Sequence, residues 1–125
     1  MHKSRLSTLV IDCEGGDIEA AGRFWSEALG RPLTASDDDF PNYRVLEDRA
    51  GQPLVLVQRV DHPSRVHLDI ETDDVEAEAA RLEALGARRV EKIRTWWVME
   101  APTGQRFCVV RTQRGPLGDD ANEWR

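Results

Sequence analysis

Two side chains in this sequence have the type and the setting to carry out chemistry. His67 follows Val66 in a strand-like stretch of alternating apolar and polar residues, and Cys108 lies in an apolar run between Phe107 and Val109. An imidazole and a thiol can act as base and nucleophile, or they can bind zinc together. Zinc binding also needs a third donor, for which the candidates are Asp12, Asp69 and Gln58.

Structural roles compete with these interpretations, because single His and Cys residues on strands are usually packed in the interior. We predict that Cys13 and Cys108 are reduced, buried thiols rather than a disulfide. His2, near the terminus, and His62, in a polar stretch, are predicted to be solvent-exposed. No serine stands in a nucleophile-elbow context, and no glycine-rich phosphate loop is present.

The composition restricts the kinds of partner. The chain has 125 residues, enough for one domain with a core, and 23 acidic against 17 basic side chains give a net charge of −6. This charge argues against nucleic acid as a partner and favours neutral or cationic ligands. No apolar run is long enough to cross a membrane or to form a signal peptide, so we expect a cytoplasmic protein.

Four blocks of the chain recur in the same order. Residues 10–14 (VIDCE) resemble residues 67–71 (HLDIE), 57 positions later. The other pairs are 17–20 with 74–77, 27–30 with 83–86, and 43–52 with 96–105. Two copies are too few for a solenoid, so the repeat predicts a closed pair of modules.

Each copy has the pattern of one strand, one helix and three strands. The first strand covers residues 8–13 or 66–71, and the helix begins at Asp17 or at residues 73–74, where an acidic side chain can cap it. The later strands are predicted at 32–36, 42–47 and 53–60, and at 87–93, 95–100 and 105–112. The fold class is therefore α+β, with two tandem βαβββ modules at 5–60 and 65–114 and a loose tail at 115–125.

The sequence resembles the vicinal-oxygen-chelate superfamily, in particular its glyoxalase-like branch, which includes glyoxalase I, bleomycin-resistance proteins and extradiol dioxygenases. Residues 17–30, 66–70, 73–86 and 101–110 carry the resemblance. It implies that the two modules form an open cup around a shared cavity and that the protein is a homodimer. It also implies that metal-dependent members place His, Glu or Gln ligands on the first and last strand of each module.

The ligand positions that the resemblance implies hold few donors in this chain. His67 matches one of them, and Cys108 stands where Glu is frequent. The remaining two positions hold Val55 and either Thr8 or Val10, none of which binds metal well, so we expect no metal cofactor. Of the adjacent Trp96 and Trp97, one should line the cavity, because neighbouring strand residues face opposite sides. The predicted ligand-binding residues are Thr8, Val10, Val55, His67, Trp97 and Cys108.

Three functions are compatible with this pattern. The first is a glyoxalase or bleomycin-resistance type of protein that binds a small molecule in the cup between its modules, without metal. The second is a metal-dependent lyase or dioxygenase-like enzyme with non-standard ligands around His67 and Cys108. The third is a structural or regulatory partner whose cup is only a dimer surface.

Overall fold

The chain divides into two compact units, each of which contains one copy of the repeat. A computed structural model describes all residues from Met1 to Arg125. The first unit is Thr8–His67, and the second joins Met1–Ser7 to Leu68–Arg125. Two strands, β1 (His2–Glu14) and β4 (Arg65–Thr72), each begin in one unit and end in the other. Neither helix combines the length and the apolar character of a membrane span.

The first unit follows the predicted βαβββ order with one weak strand. After β1 come α1 (Ile18–Leu29), β2 (Tyr43–Val45) and β3 (Leu54–Val60), with β3 parallel to β1 and antiparallel to β2. The strand predicted at 32–36 is reduced to an isolated bridge between Leu33 and Leu46. Pro32 lacks a backbone N–H and so limits the pairing of this segment.

Local capping fixes helix α1, as the sequence predicts. The side chain of Asp17 accepts a hydrogen bond from the backbone N–H of Glu19, and Gly30 ends the helix with a left-handed φ of 68°. Gly22 faces the strands so closely that a Cβ atom would lie 3.2 Å from Leu33. The helix therefore packs tightly on its unit's core, in which Leu46 and Val57 are fully buried.

The second unit repeats this arrangement, with three strands after the helix instead of two. After β4 come α2 (Val75–Ala84), β5 (Arg88–Ile93), β6 (Trp96–Glu100) and β7 (Arg106–Arg111). Strand β7 is parallel to β4 and antiparallel to β6, which pairs antiparallel with β5. Ala79 of the helix packs with Met99 and Val109 of the strands to form the fully buried centre of the core.

Where the sequence predicts a loose tail, the structure has a strand. Strand β8 (Asn122–Trp124) pairs antiparallel with the first residues of β1, and the Trp124 indole N–H donates to Ser4 Oγ at 2.8 Å. The guanidinium of Arg81 lies 3.7 Å from the centre of the Trp124 ring. His2, predicted to be exposed, is instead buried with its Nε2 atom 2.8 Å from Glu78, because β1 begins well before the predicted residue 8.

Candidate functional site

In the first unit, a buried carboxylate forms a hydrogen bond with a partly exposed imidazole. Oδ2 of Asp12 accepts a hydrogen bond from Nδ1 of His67 at 2.7 Å. Asp12 is 2% exposed, whereas the His67 side chain keeps 15% of its surface exposed. The nearest further cation is Arg65, whose Nε atom lies 3.9 Å from the same carboxylate oxygen. Asp12 therefore fixes the orientation of the His67 ring and places the proton on Nδ1.

Two further polar side chains lie beside Asp12 on the neighbouring strands of the first unit. Asp12 of β1 stands beside Gln58 of β3, and Gln58 stands beside Tyr43 of β2. Partners in register project to the same face of a sheet. Nε2 of Gln58 also donates to the Tyr43 hydroxyl at 3.2 Å. A row of three polar side chains thus crosses this face, next to His67.

The same register recurs in the second unit with different residues. Asp69 of β4 stands beside Cys108 of β7, as Asp12 stands beside Gln58. His67 lies two residues before Asp69 on strand β4 and therefore projects to the same face. One ligand atom from each of His67, Asp69 and Cys108 lies within 4.8 Å of the other two. The imidazole and the thiol that the sequence singles out are therefore close together.

The types of these three side chains suit zinc better than their spacing does. Imidazole nitrogen, thiolate and carboxylate are all zinc ligands, and three of them leave a coordination position open. Ligand atoms on one tetrahedral zinc ion are about 3.3–3.8 Å apart, from bond lengths of about 2.0–2.3 Å. The ligand atoms of the cluster lie within 4.8 Å of one another, a looser limit than a bound zinc ion sets.

The predicted assignment of Val55 to the binding face is wrong. Val55 stands beside Leu9 in the parallel pairing of β1 with β3, whereas Thr8 stands beside Leu54. Thr8 and Val10, both buried, share the face of Asp12 because side chains alternate along a strand, and Val55 points to the opposite face. The residue that corresponds to Cys108 by strand register is Gln58. The sequence indicates Gln58 only as a possible third zinc donor.

Trp97 also lies on the other face from the one predicted. It stands beside Val109, a core residue under helix α2, whereas Val98 stands beside Cys108. Its indole N–H donates to Oε1 of Glu76 at 2.8 Å. Trp96, by alternation, shares the face of Cys108. Only Trp97 lies on the side of helix α2, where Glu76 accepts its indole N–H, and this acidic helix residue is the feature of the sequence that favours Trp97 for that side.

The surroundings of Trp97 strongly perturb one carboxyl group. Hydrogen bonds from Arg89, which is the largest cause, and from Trp97 and Lys92 lower the pKa of Glu76 from 4.5 to about 2, against an opposing effect of desolvation. The Arg89 guanidinium also lies 4.9 Å from the centre of the Trp97 ring. Trp97 is therefore part of a charged network on the helix side of its unit.

Neither cysteine is in a disulfide, as predicted, but both are only partly buried, whereas the sequence predicts buried thiols. Burial, and to a lesser extent the neighbouring charge of Asp12, raise the pKa of the Cys13 thiol. A thiol with a raised pKa stays protonated at neutral pH and is a poor nucleophile. Cys13 is therefore an inert residue, and by alternation along β1 it points to the face opposite Asp12.

Comparison with known proteins identifies the fold. A family model described as glyoxalase-like domain matches residues 8–110. A methylmalonyl-CoA epimerase structure from Mycobacterium tuberculosis superposes with a TM-score of 0.62 at 15% identity, over 87% of this chain and 89% of that one. A hypothetical protein from Bacillus halodurans gives 0.64 at 10% identity, over 91% and 99%.

A further structural match carries a bound ligand. A Streptomyces coelicolor methylmalonyl-CoA epimerase variant in complex with 2-nitronate-propionyl-CoA superposes with a TM-score of 0.56 at 16% identity, over 87% of this chain and 98% of that one. Identities this low establish a common fold and no more. The curated proteins include no significant sequence match.

Proposed function

Since the chain belongs to the glyoxalase-like domain family, we propose that it binds a small organic molecule at the strand face of Asp12 and His67, without a resident metal ion. The observation that carries this proposal is the 2.7 Å hydrogen bond between the two residues. A buried carboxylate that orients a partly exposed imidazole is typical of sites in which the ring meets a ligand.

Each residue has a distinct part in this proposal. Asp12 is a positioning residue, because its carboxylate holds Nδ1 and so directs the Nε2 edge of His67 away from itself. His67 contacts the ligand through Nε2, as a hydrogen-bond acceptor or as a base. The neighbouring Gln58 and Tyr43 add polar groups that can discriminate between ligands.

The charge of the chain indicates the class of ligand. The epimerase structure from Streptomyces coelicolor holds an acyl-CoA, which is a polyanion. This chain has a net charge of −6, and Asp12 adds a negative charge at the proposed site itself. Oδ1 of Asp12 is also buried without a hydrogen-bond partner. These features favour a neutral or cationic ligand that donates hydrogen bonds over an acyl-CoA.

The proposal is tested by an affinity experiment that identifies which compounds the protein retains from a mixture. Tag-free protein is incubated with a bacterial metabolite extract that contains EDTA, and the retained compounds are identified by mass spectrometry. His62, which the sequence predicts to be exposed, is half-buried and lies outside the polar face. The wild type and the control His62→Ala should retain the same compound. His67→Ala should lose it, and Asp12→Asn should weaken its retention. No retained compound, or equal retention by His67→Ala, would contradict the proposal.

The second candidate is a metal-dependent enzyme, favoured by the cluster of His67, Asp69 and Cys108. A zinc ion there would supply a Lewis acid to the ligand. Asp12 would then orient His67 from behind, as carboxylates do for metal-bound imidazoles. We rank this candidate second because a bound zinc ion holds its ligand atoms within a tighter limit than the 4.8 Å of this cluster.

We also propose that the protein is a homodimer. The support comes from the family resemblance and from two apolar side chains on one face of β4, Val66 and Leu68, which are 60% and 43% exposed. Exposed apolar side chains on a strand are typical of surfaces that another chain covers.

A further inference from the structure

A groove opens in the second unit where the parallel strands β4 and β7 end. Its volume is about 460 Å³. Thr72 and Arg111, the last residues of the two strands, stand beside each other in register and line it. Its other lining residues are Asp73, Thr112, Gly115, Pro116 and Leu117. The volume lies within the range of small-molecule pockets, about 300–1,000 Å³.

The groove has one positive and one negative group, and neither belongs to an ion pair. The Arg111 side chain is exposed, and its guanidinium makes no hydrogen bond or ion pair. The carboxylate of Asp73 accepts a hydrogen bond from the backbone N–H of Lys3 at 2.8 Å. A carboxylate has about four acceptor positions, so Asp73 can still bind a cation.

Two apolar side chains, Pro116 and Leu117, line the groove beside its charged groups. Leu117 is half-buried and Pro116 is exposed, and both come from the segment that leads to β8. Thr72, at the base, is 1% exposed, and its hydroxyl is already engaged with the backbone oxygens of Lys3 and Asp74. The base therefore offers little further polar contact, and the charged groups lie at the rim.

We propose that this groove binds an apolar α-amino acid. The guanidinium of Arg111 would form paired hydrogen bonds with the carboxylate, which is the geometry that this side chain favours. Asp73 would hold the ammonium group, and the apolar side chain would pack on Leu117 and Pro116. A phosphate or dicarboxylate would be repelled by Asp73, and a simple amine would be repelled by Arg111.

This inference is independent of the proposed function. None of the residues that line the groove belongs to the polar face of Asp12, Gln58, Tyr43 and His67. Loss of binding at one place should therefore leave the other intact, and His67→Ala should not affect amino-acid binding in the groove.

The test is an NMR titration of the full chain, uniformly labelled with nitrogen-15, with L-phenylalanine. Saturable shifts are expected at the backbone amides of Thr72, Gly115 and Leu117. Two analogues, 3-phenylpropionate without the ammonium group and 2-phenylethylamine without the carboxylate, should each bind at least about tenfold more weakly. No saturable shift, or equal binding of either analogue, would overturn the proposal.

Variants assign the charged contacts. Arg111→Ala and Asp73→Asn should each weaken phenylalanine binding at least about tenfold. Asp73→Asn keeps an oxygen for the Lys3 N–H, and the spectrum itself reports whether each variant is folded. Arg125→Ala, which removes a highly exposed arginine elsewhere, is the matched control and should bind like the wild type. Unchanged binding in Arg111→Ala would overturn the proposal.

Discussion

Asp12 and His67 are joined by a hydrogen bond of 2.7 Å although 55 positions separate them in the chain. The contact breaks the symmetry of the repeat, because the residue that corresponds to His67 in the first copy is Val10. Because this position is a valine, the polar face contains only one imidazole of the repeat pair. The fold of the family is thus retained in a chain whose first strand has the orienting carboxylate and, at the position equivalent to His67, a valine.

The first prediction concerns the stability that this contact contributes. Asp12→Ala leaves the Nδ1–H group of His67 without its acceptor, and we expect the free energy of unfolding to fall by about 1–3 kcal/mol. Asp12→Asn keeps an acceptor oxygen and should lose less. Urea denaturation followed by circular dichroism measures both. Asp61→Ala, at an exposed position, should stay within about 0.5 kcal/mol, and a wild-type stability for Asp12→Ala would contradict the assignment.

The second prediction concerns pH. The pKa of Glu76 is lowered to about 2, so its stabilising effect is present above the ordinary carboxyl range and is lost as the pH falls through about 2. Carbon-13 NMR of the side-chain carboxyl should follow this titration. Arg89→Gln should raise the pKa most and Trp97→Phe less, whereas Arg106→Gln, outside the network, should not change it. An ordinary pKa in the wild type would refute the hydrogen-bonded network.

The features of the fold that depend on local physical chemistry were predictable from the sequence. Asp17 and Asp74 cap the two helices, as their positions before apolar stripes predict. The glyoxalase-like fold and the α+β class are confirmed, because the repeat blocks preserve both capping and strand patterns. The strand at 32–36 was predicted from residue types, but a three-residue β2 and Pro32 support only a bridge.

The errors at the site come from strand register, which is a non-local property. The family resemblance implies Val55 as the counterpart of Cys108, whereas the pairing of β3 with β1 selects Gln58, three positions later. Moving an odd number of positions along a strand reverses the face to which the side chain points. Alternation alone does not predict which of two adjacent tryptophans faces the helix. In the structure it is Trp97, whose indole N–H donates to Glu76 on that helix.

The third prediction concerns the C-terminal strand, whose contacts reach residues more than a hundred positions away. Trp124→Ala removes the ring beneath Arg81 and the hydrogen bond to Ser4, and we expect a loss of about 1–3 kcal/mol in unfolding free energy. Guanidinium denaturation followed by circular dichroism measures it. Glu123→Ala, an exposed neighbour on the same strand, is the control. Equal stabilities of the two variants would show that β8 does not hold Trp124 in place.

The fourth prediction concerns assembly. Light scattering at micromolar concentration should give about twice the chain mass of 14.2 kDa. Leu68→Glu should shift the protein towards monomer, because a charge on a covered apolar face opposes association. Leu85→Glu changes a leucine that is even more exposed, at the end of helix α2, and should leave the dimer intact. A monomeric wild type would contradict this proposal.

The central claim is that His67, held by Asp12, meets an organic ligand rather than a metal ion. The most direct measurement is long-range proton–nitrogen NMR of the His67 ring in tag-free protein as zinc is added. We predict a ring protonated at Nδ1 whose signals do not change over the first equivalent of zinc. New ring signals that saturate at one equivalent, and that are absent in Cys108→Ser, would contradict the claim and establish a metal site formed by His67, Asp69 and Cys108.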